Sequence, residues 1–191
     1  HPVFGGELDV INVMLSAELW SNILRAVPGS LLLLGRIGSI EPELQDHVRN
    51  QFKKFDMADR IQFVSGGGGR NGWQEMLSQI DVLLDNVMAR GTISTCDALW
   101  MGIPVVSLQE DDGSMRYGSS ILSAAGRPDW IATDHKSFVA IASDLVKDRS
   151  RLKEIQSELK GQIQVSRLCN LNDFAERMEN ALFQAHEFFM R

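Results

Sequence analysis

Short apolar runs alternate along the chain with longer segments in which apolar residues recur every three or four positions. The runs SLLLLG (30–35), RIQFV (60–64), DVLLD (81–85) and IPVVSL (103–108) centre on apolar residues over lengths typical of buried strands. DWIA (129–132) is a shorter candidate strand. Strands of this kind separated by helices predict an α/β fold, a parallel sheet covered by helices on both faces.

Helical periodicity fills the intervals between these strands. Trp73, Met76, Leu77 and Ile80 fall at i, i+3, i+4 and i+7, which is one face of a helix. Pro42 stands where a first-turn proline belongs in a helix. The predicted helices cover about 16–27, 42–55, 73–80, 95–101, a segment that ends at Ala125, 135–147, 149–164 and 171–190.

The loops that follow the strands are where the candidate chemistry lies. Ligands of a parallel sheet bind at the carboxyl ends of its strands. This rule selects the loops at 5–12, 35–40, 65–72, 86–94 and 109–115.

Composition narrows the class of protein. The chain has 191 residues, of which 44% are hydrophobic and 23% charged, as in ordinary globular domains. No apolar run approaches the roughly 20 residues that span a bilayer, so no membrane partner is expected. The net charge is −6 and the 19 basic residues are scattered, which argues against a nucleic-acid surface.

Cysteine and histidine usage gives no indication of a metal or disulfide framework. Cys96 and Cys169 are the two cysteines, and two free thiols fit a reducing compartment. None of the four histidines has ligand spacing to another histidine or a cysteine, so no structural metal is expected. No nucleophile and base form an evident pair, so the catalytic residues stay unknown.

The stretch GTISTCD (91–97) has two interpretations, and the residues alone support them about equally. If Ser94 is the N-cap of the next helix, Asp97 stands three residues later and completes a capping box. The same helix start would also favour a phosphate, with hydroxyls of Thr92, Ser94 and Thr95 as donors. Asp97 would then accept a hydrogen bond from a ribose hydroxyl.

The glycine run at 66–69 also leaves two interpretations open. It forms a loose surface turn, or it lets backbone approach a ligand, with Arg70 supplying charge to a diphosphate. Trp73 belongs to the core by its helical stripe, yet its place in the first turn would let its ring reach a base. Arg116 is expected to be solvated or ion-paired.

The stretch GTISTCDALWMGIPVVSL resembles the C-terminal lobe of the O-linked N-acetylglucosamine transferases and their bacterial relatives. In that family a Gly-(His/Thr)-Thr-Thr-x-x-Asp-x-Leu-Trp-x-Gly-x-Pro-x-Val pattern holds the UDP of the sugar donor. LWSNILRAVPGSLLLL, MRYGSSILSAAG and FAERMENALFQAHEFF look like further segments of the same lobe. Together these segments extend the resemblance over nearly the whole chain.

The resemblance implies a GT-B glycosyltransferase, two Rossmann-like lobes with a cleft between them. Residues 1–165 would be the UDP-sugar-binding lobe, and 166–191 a C-terminal helix that packs toward an N-terminal lobe. Helical repeats usually precede that lobe in the family. The implied reaction transfers N-acetylglucosamine or another hexose from a UDP-sugar to a protein side chain with inversion. Protein groups would stabilise the leaving diphosphate, so neither a cofactor nor a metal is expected, and the expected location is cytoplasmic.

When the family's site residues are matched by position, the resemblance implies that Asp97 binds the ribose and that Ser94 binds a phosphate. Gly91, Thr92 and Thr95 belong to the same donor loop, in which Thr92 replaces a histidine of the animal enzymes. Ile93 replaces a hydroxyl residue, so one donor is lost. Arg70 roughly matches a lysine of the uridine loop, and Trp73 stands near a histidine that stacks on uracil.

The largest departure from the family lies near the N-terminus. The family carries a lysine between its first strand and first helix that neutralises the diphosphate, and the matching positions here are about Ile11 or Asn12. No lysine occurs before Lys53. This favours, as an alternative, a non-catalytic scaffold or partner-binding module of the same fold. A different GT-B enzyme, such as a lipid- or glycan-directed transferase or a sugar epimerase, is a third hypothesis that STCDALWMGIPVV argues against.

Overall fold

The described part of the chain folds around a parallel sheet of six strands. The computed structural model describes residues 1–8, 10–37, 40–66, 70–85, 92–109 and 116–190. The strand order is β3-β2-β1-β4-β5-β6, and each neighbouring pair is parallel. This arrangement confirms the predicted α/β fold class. The strands are β1 (Val3–Glu7), β2 (Leu31–Ile37), β3 (Ile61–Gly66), β4 (Val82–Leu84), β5 (Val105–Leu108) and β6 (Ile131–Ala132).

Eight α-helices are seen in the described part of the chain. Those predicted from apolar periodicity are confirmed, most of them with ends displaced by a few residues. The helices are α1 (Val10–Ala26), α2 (Pro42–Lys53), α3 (Arg70–Leu77), α4 (Thr92–Trp100), α5 (Tyr117–Ala124), α6 (His135–Lys147), α7 (Arg149–Val165) and α8 (Leu171–Phe189). Within the described ranges, no helix is both long and apolar enough to cross a membrane.

The sequence predicts a loop at 5–12, and this prediction is wrong, because β1 ends at Glu7 and α1 begins at Val10. The strand contains two adjacent glycines, Gly5 and Gly6, which weaken any strand pattern in the sequence. A side chain on Gly5 would collide with Ile80, and one on Gly6 would meet Trp20 at 3.0 Å. The glycines are therefore required by packing, because helices approach β1 closely on both faces.

The two glycines also show how the layers are arranged. Successive strand residues point to opposite faces of a sheet. Gly6 faces Trp20 of α1, whereas Gly5 faces Ile80, three residues beyond the end of α3. Helices α1 and α3 therefore cover opposite faces. The largest fully buried side chains of the core include Phe4, Trp20, Phe52, Trp130 and Phe138.

Arg60 connects β3 to the C-terminal end of α1. Its guanidinium donates to the carbonyl oxygens of Leu24 (2.6 Å), Val27 (2.8 Å) and Ser30 (2.8 Å), and to Ser30 Oγ (2.8 Å). The last carbonyls of a helix have no partner within the helix. Arg60 supplies donors to them and holds the turn between α1 and β2.

Replacing Arg60 with alanine is expected to lower the free energy of unfolding by about 2 kcal/mol, since several carbonyl oxygens lose a charged donor. Urea unfolding would show a lower midpoint at an unchanged m-value. Arg25→Ala is the matched control, because the exposed Arg25 bonds Asn22 and the Phe55 carbonyl but no buried group among the described residues, and a change below about 0.5 kcal/mol is expected. Equal losses in the two variants would contradict the role given to Arg60.

Candidate functional site

The strand order reverses between β1 and β4. From β1 the chain builds β2 and β3 on one side, and it returns to build β4, β5 and β6 on the other. Ligands of open α/β sheets bind in the crevice outside the carboxyl ends of the strands at such a switch point. Glu7 is the last residue of β1 and Asp85 directly follows β4, so both lie at this edge.

A small crevice is present at the switch point. It is a shallow, partly open depression of about 170 Å³ between the ends of the two central strands and the starts of α3 and α4, and it is too narrow to hold a ligand without widening. We call it the switch-point crevice. Its lining residues are Glu7, Trp73, Leu83, Leu84, Asp85 and Ser94.

Helix α4 begins earlier than the sequence pattern predicts. Its first residue is Thr92, so Ser94 is the third helical residue and Asp97 the sixth. The predicted capping box, with Ser94 as N-cap and Asp97 at N3, is therefore wrong. Buried Ala98 and Leu99 anchor the helix in the core, and such packing overrides the weak preference of serine and threonine for cap positions.

The polar side chains of α4 differ in their access to the crevice. Ser94 is half-buried and lines it, whereas Thr95 is fully buried. Asp97 is buried on the next helical turn, with 8% of its surface exposed. Thr92 is half-buried at the helix start, and Gly91 lies outside the described residues. The structure thus brings Ser94, but not Thr95, to the surface where a ligand would lie.

Trp73 joins the core and the crevice. It is the fourth residue of α3, only 6% exposed, so the core interpretation is confirmed. It also lines the crevice, and its buried Nε1 has no hydrogen-bond acceptor within the described ranges. Arg70 begins α3, but its side chain and the glycines 67–69 lie outside the described part of the chain.

A buried polar cluster supports the floor of the site. Ser107 Oγ on β5 donates to Asp85 Oδ2 at 2.8 Å, and both residues are buried. Gly118, in the first turn of α5, packs so closely that a Cβ there would collide with both side chains. The cluster therefore joins the end of β4, strand β5 and the start of α5.

Sequence reasoning missed Glu7, Asp85 and Ser107 as site residues. Asp85 and Ser107 fell inside predicted strands, and Glu7 fell inside a predicted loop. The pattern that would have found Asp85 is a single acid at the carboxyl end of an apolar strand, where a buried charge needs a partner.

Substituting Ser107 with alanine is expected to lower the free energy of unfolding by about 1–3 kcal/mol, because the buried Asp85 carboxylate loses one of its hydrogen-bond donors. The measurement is the urea midpoint. Ser123→Ala on the exposed face of α5 serves as the control and should change stability by less than about 0.5 kcal/mol. A Ser107→Ala protein as stable as the control would show that the hydrogen bond adds nothing.

Cys96 does not offer a nucleophile beside the site. Burial raises the pKa of the Cys96 thiol, and the neighbouring Asp97 carboxylate and Cys169 raise it further. The thiolate is the reactive form, so Cys96 remains a protonated thiol near neutral pH. In the ranges that the structure describes, no group of three or more histidine, cysteine, aspartate or glutamate residues could hold a metal ion.

Comparison with known proteins shows the family of this chain. Residues 11–178 match the family described as glycosyl transferase family 41. The chain is 27% identical over 170 residues to a probable UDP-N-acetylglucosamine–peptide N-acetylglucosaminyltransferase SPINDLY from rice, covering 86% of this chain and 18% of that protein. It is 27% identical over 167 residues to the UDP-N-acetylglucosamine–peptide N-acetylglucosaminyltransferase of Caenorhabditis elegans, covering 87% and 14%.

Solved structures give the same result for the fold. An O-GlcNAc transferase mutant from Thermobaculum terrenum superposes with a TM-score of 0.81 at 26% identity, over 95% of this chain and 35% of that one. A Staphylococcus aureus TarM structure superposes with a TM-score of 0.60 at 13% identity, over 91% and 34%, which is a likeness of fold alone. The predicted resemblance and the Rossmann-like lobe of a GT-B fold are confirmed. The chain spans about a third of these solved chains and under a fifth of the curated relatives.

Proposed function

Because the chain belongs to glycosyl transferase family 41, we propose that it forms the UDP-sugar-binding lobe of an inverting protein O-glycosyltransferase. The reaction transfers N-acetylglucosamine or another hexose to a protein side chain. The observation that carries the proposal is the convergence of Glu7, Trp73, Asp85 and Ser94 at the switch point of the sheet. This is the edge at which α/β sheets bind nucleotides.

Helix α4 supplies the donor contacts in this proposal. Ser94 binds a phosphate at the helix start, where free N–H groups and the helix dipole favour an anion. Asp97, one turn further, accepts hydrogen bonds from the ribose hydroxyls. Gly91, Thr92, Thr95 and Arg70 complete the predicted donor-binding set, and Trp73 lies against the nucleoside. The crevice position of Ser94 and the burial of Asp97 on the same helix support these roles.

In the transfer step, an acceptor hydroxyl attacks the anomeric carbon while the bond to UDP breaks. Negative charge then builds on the leaving diphosphate. Protein donors aimed at that charge stabilise the transition state without a metal ion. The N–H groups at the start of α4 supply such donors, and no resident cofactor is part of the proposal.

Helix α8 is the proposed contact with a further lobe of the whole protein. None of its residues is buried. Its exposed apolar side chains recur at helical spacing and form a stripe that a monomeric domain would normally cover. We assign residues 1–165 to the donor-binding lobe and 166–191 to this packing helix, with helical repeats preceding the N-terminal lobe. The stripe includes Leu171, Phe174, Met178, Leu182 and Phe189.

The compartment proposed for this enzyme is the cytoplasm. Cys96 and Cys169 are both free, and no disulfide joins them. Free thiols persist in reducing compartments. The acceptor is then a cytoplasmic protein.

The experiment that tests the function is UDP binding to this chain, followed by thermal unfolding and ligand-observed NMR. UDP at about 100 times its Kd would stabilise the chain by about 2.7 kcal/mol. For a domain of this size that corresponds to a rise in Tm of about 5–11 °C. No rise in Tm and no NMR effect at millimolar UDP would refute the proposal.

A non-catalytic module is the second candidate, and one observation favours it. The family resemblance places a cation at about Ile11 or Asn12, and Ile11 lies near the start of α1 with 65% of its surface exposed. Its neighbours Val10, Met14 and Leu15 are exposed as well. This candidate predicts a folded protein without sugar transfer. Hydrolysis of a UDP-sugar by the longer parent protein would eliminate it.

A further inference from the structure

We propose that a cavity between α6 and α7 binds a small zwitterion with an apolar body, of the kind that a free amino acid with an aliphatic or aromatic side chain presents. The cavity has a volume of about 530 Å³, within the roughly 300–1,000 Å³ of small-molecule sites. Its walls are Arg127 with the short 3₁₀ turn Pro128–Trp130, the second half of α6 and the first two turns of α7. We call it the α6–α7 cavity. All of its lining residues fall within 116–190, which the structure describes without a gap.

The α6–α7 cavity lies at the edge of the sheet opposite the switch-point crevice. The turn Pro128–Trp130 directly precedes β6, so it lies at the amino end of that strand. The start of α7 is held at the same edge, because Arg149 forms an ion pair of 2.8 Å with Asp81, which directly precedes β4. No described residue lines both the cavity and the crevice. A ligand of this cavity is therefore separate from the sugar donor of the proposed function.

The floor of the cavity is apolar. It contains the ring of Trp130, which is 2% exposed, and the side chains of Ile141, Leu145 and Ile155, all of which belong to the core or pack against it. Covering such a surface with an aliphatic or aromatic group removes apolar area from water on both partners, which favours binding. The floor therefore accounts for the apolar part of the ligand.

Two of the charged side chains at the rim neutralise each other. The Arg127 guanidinium donates to both carboxylate oxygens of Asp129, at 3.0 Å and 2.7 Å, and it lies 3.4 Å from the centre of the Trp130 ring. A bidentate pair of this kind leaves little net charge to attract a ligand ion. The charge preference of the cavity is therefore set by its two other ionic side chains, Asp144 on α6 and Arg151 on α7.

Asp144 and Arg151 carry opposite charges, and both are exposed. Neither side chain forms an ion pair or a hydrogen bond with another residue in the described part of the chain. A purely anionic ligand would be repelled by Asp144, and a purely cationic one by Arg151. An uncharged ligand would take water from both charged groups without replacing it, which costs free energy. A ligand that carries an ammonium and a carboxylate pairs with both groups.

A free amino acid meets these requirements in one molecule. Its carboxylate accepts hydrogen bonds from Arg151, its ammonium donates to Asp144, and its side chain covers the apolar floor. A residue inside a polypeptide has neither of these charges, so a segment of a protein partner lacks the same complementarity. The α6–α7 cavity therefore favours the free amino acid.

The test measures the binding of L-leucine and L-phenylalanine to the 191-residue chain by ligand-observed NMR titration. Both amino acids are expected to bind. Leucinamide lacks the carboxylate and N-acetylleucine lacks the ammonium, so each should bind about tenfold more weakly than leucine. N-acetylleucinamide lacks both charges, as a residue within a peptide does, and it should bind more weakly still. Saturating UDP should leave the affinity for leucine unchanged.

Variants at the rim connect each ligand charge to its partner, with folding checked by circular dichroism. Arg151→Gln should weaken leucine binding by about tenfold but should not weaken the binding of leucinamide, which has no carboxylate. Asp144→Asn should weaken leucine binding similarly but should not weaken the binding of N-acetylleucine. Lys153→Gln and Glu154→Gln remove exposed charges of α7 that do not line the cavity, and they should leave every affinity unchanged.

Three results would overturn the inference. The first is that neither amino acid binds at millimolar concentration. The second is that N-acetylleucinamide binds as tightly as leucine, or that folded Arg151→Gln and Asp144→Asn proteins bind leucine like the parent chain, because the two charges then contribute nothing. The third is displacement of leucine by UDP, which would place the amino acid at the donor site instead.

Discussion

Replacing Asp97 with alanine is expected to abolish the thermal stabilisation that UDP gives the chain. The carboxylate is buried on α4, one turn beyond Ser94. In the proposed donor site it accepts from both ribose hydroxyls. Hydrogen bonds to a charged group contribute about 1.5–3 kcal/mol each, so losing both weakens binding by at least about 100-fold. A stabilisation of about 2.7 kcal/mol at 100 times Kd then falls to about 0.4 kcal/mol or less.

The controls for this variant separate binding from folding. Asp129→Ala removes an exposed aspartate that pairs with Arg127 near β6, and it should keep the full UDP-induced rise in Tm. Asp97→Asn preserves the size of the buried side chain and should retain part of the effect. A folded Asp97→Ala protein that responds to UDP like the parent chain would remove Asp97 from the site.

Substituting Gly102 with alanine is expected to have the largest effect on stability, about 3 kcal/mol. Gly102 has φ of 81° and ends α4. The Ile103 N–H donates to the Ala98 carbonyl at 2.9 Å, and the Gly102 N–H donates to the Leu99 carbonyl at 3.1 Å, which is the Schellman pattern. A Cβ on Gly102 would also lie 2.6 Å from the backbone oxygen of Gln156 in α7, which cannot rotate away.

Gly126 allows the two costs of that substitution to be separated. Its φ of 77° is nearly the same, but a Cβ there has no atom within 4 Å. Gly126→Ala should therefore show only the conformational cost, about 1 kcal/mol. The comparison is made by urea unfolding, and equal losses at the two positions would show that α4 and α7 are not held as tightly as the structure indicates.

Much of the fold can be predicted from apolar periodicity. The strands β2 to β5 and the helices α6 to α8 lie within a few residues of their predicted positions, because a buried strand and an amphipathic helix each impose a distinctive spacing. Strand β1 was not predicted, because Gly5 and Gly6 carry no side chain and so interrupt the apolar run that indicates a buried strand. Their presence is explained only by Trp20 and Ile80, which close on the strand from opposite faces.

The sequence by itself determined the family and pointed to the helix that carries Ser94 and Asp97, because that motif is continuous along the chain. Tertiary structure decided the rest of the site. In the folded chain α4 begins at Thr92, earlier than its sequence pattern predicts, and Thr95 is buried. Glu7 and Asp85 lie at adjacent strand ends. Residues distant in sequence meet at the switch point because β1 pairs with β4, and strand order is set by packing of the whole sheet, about which local periodicity carries no information.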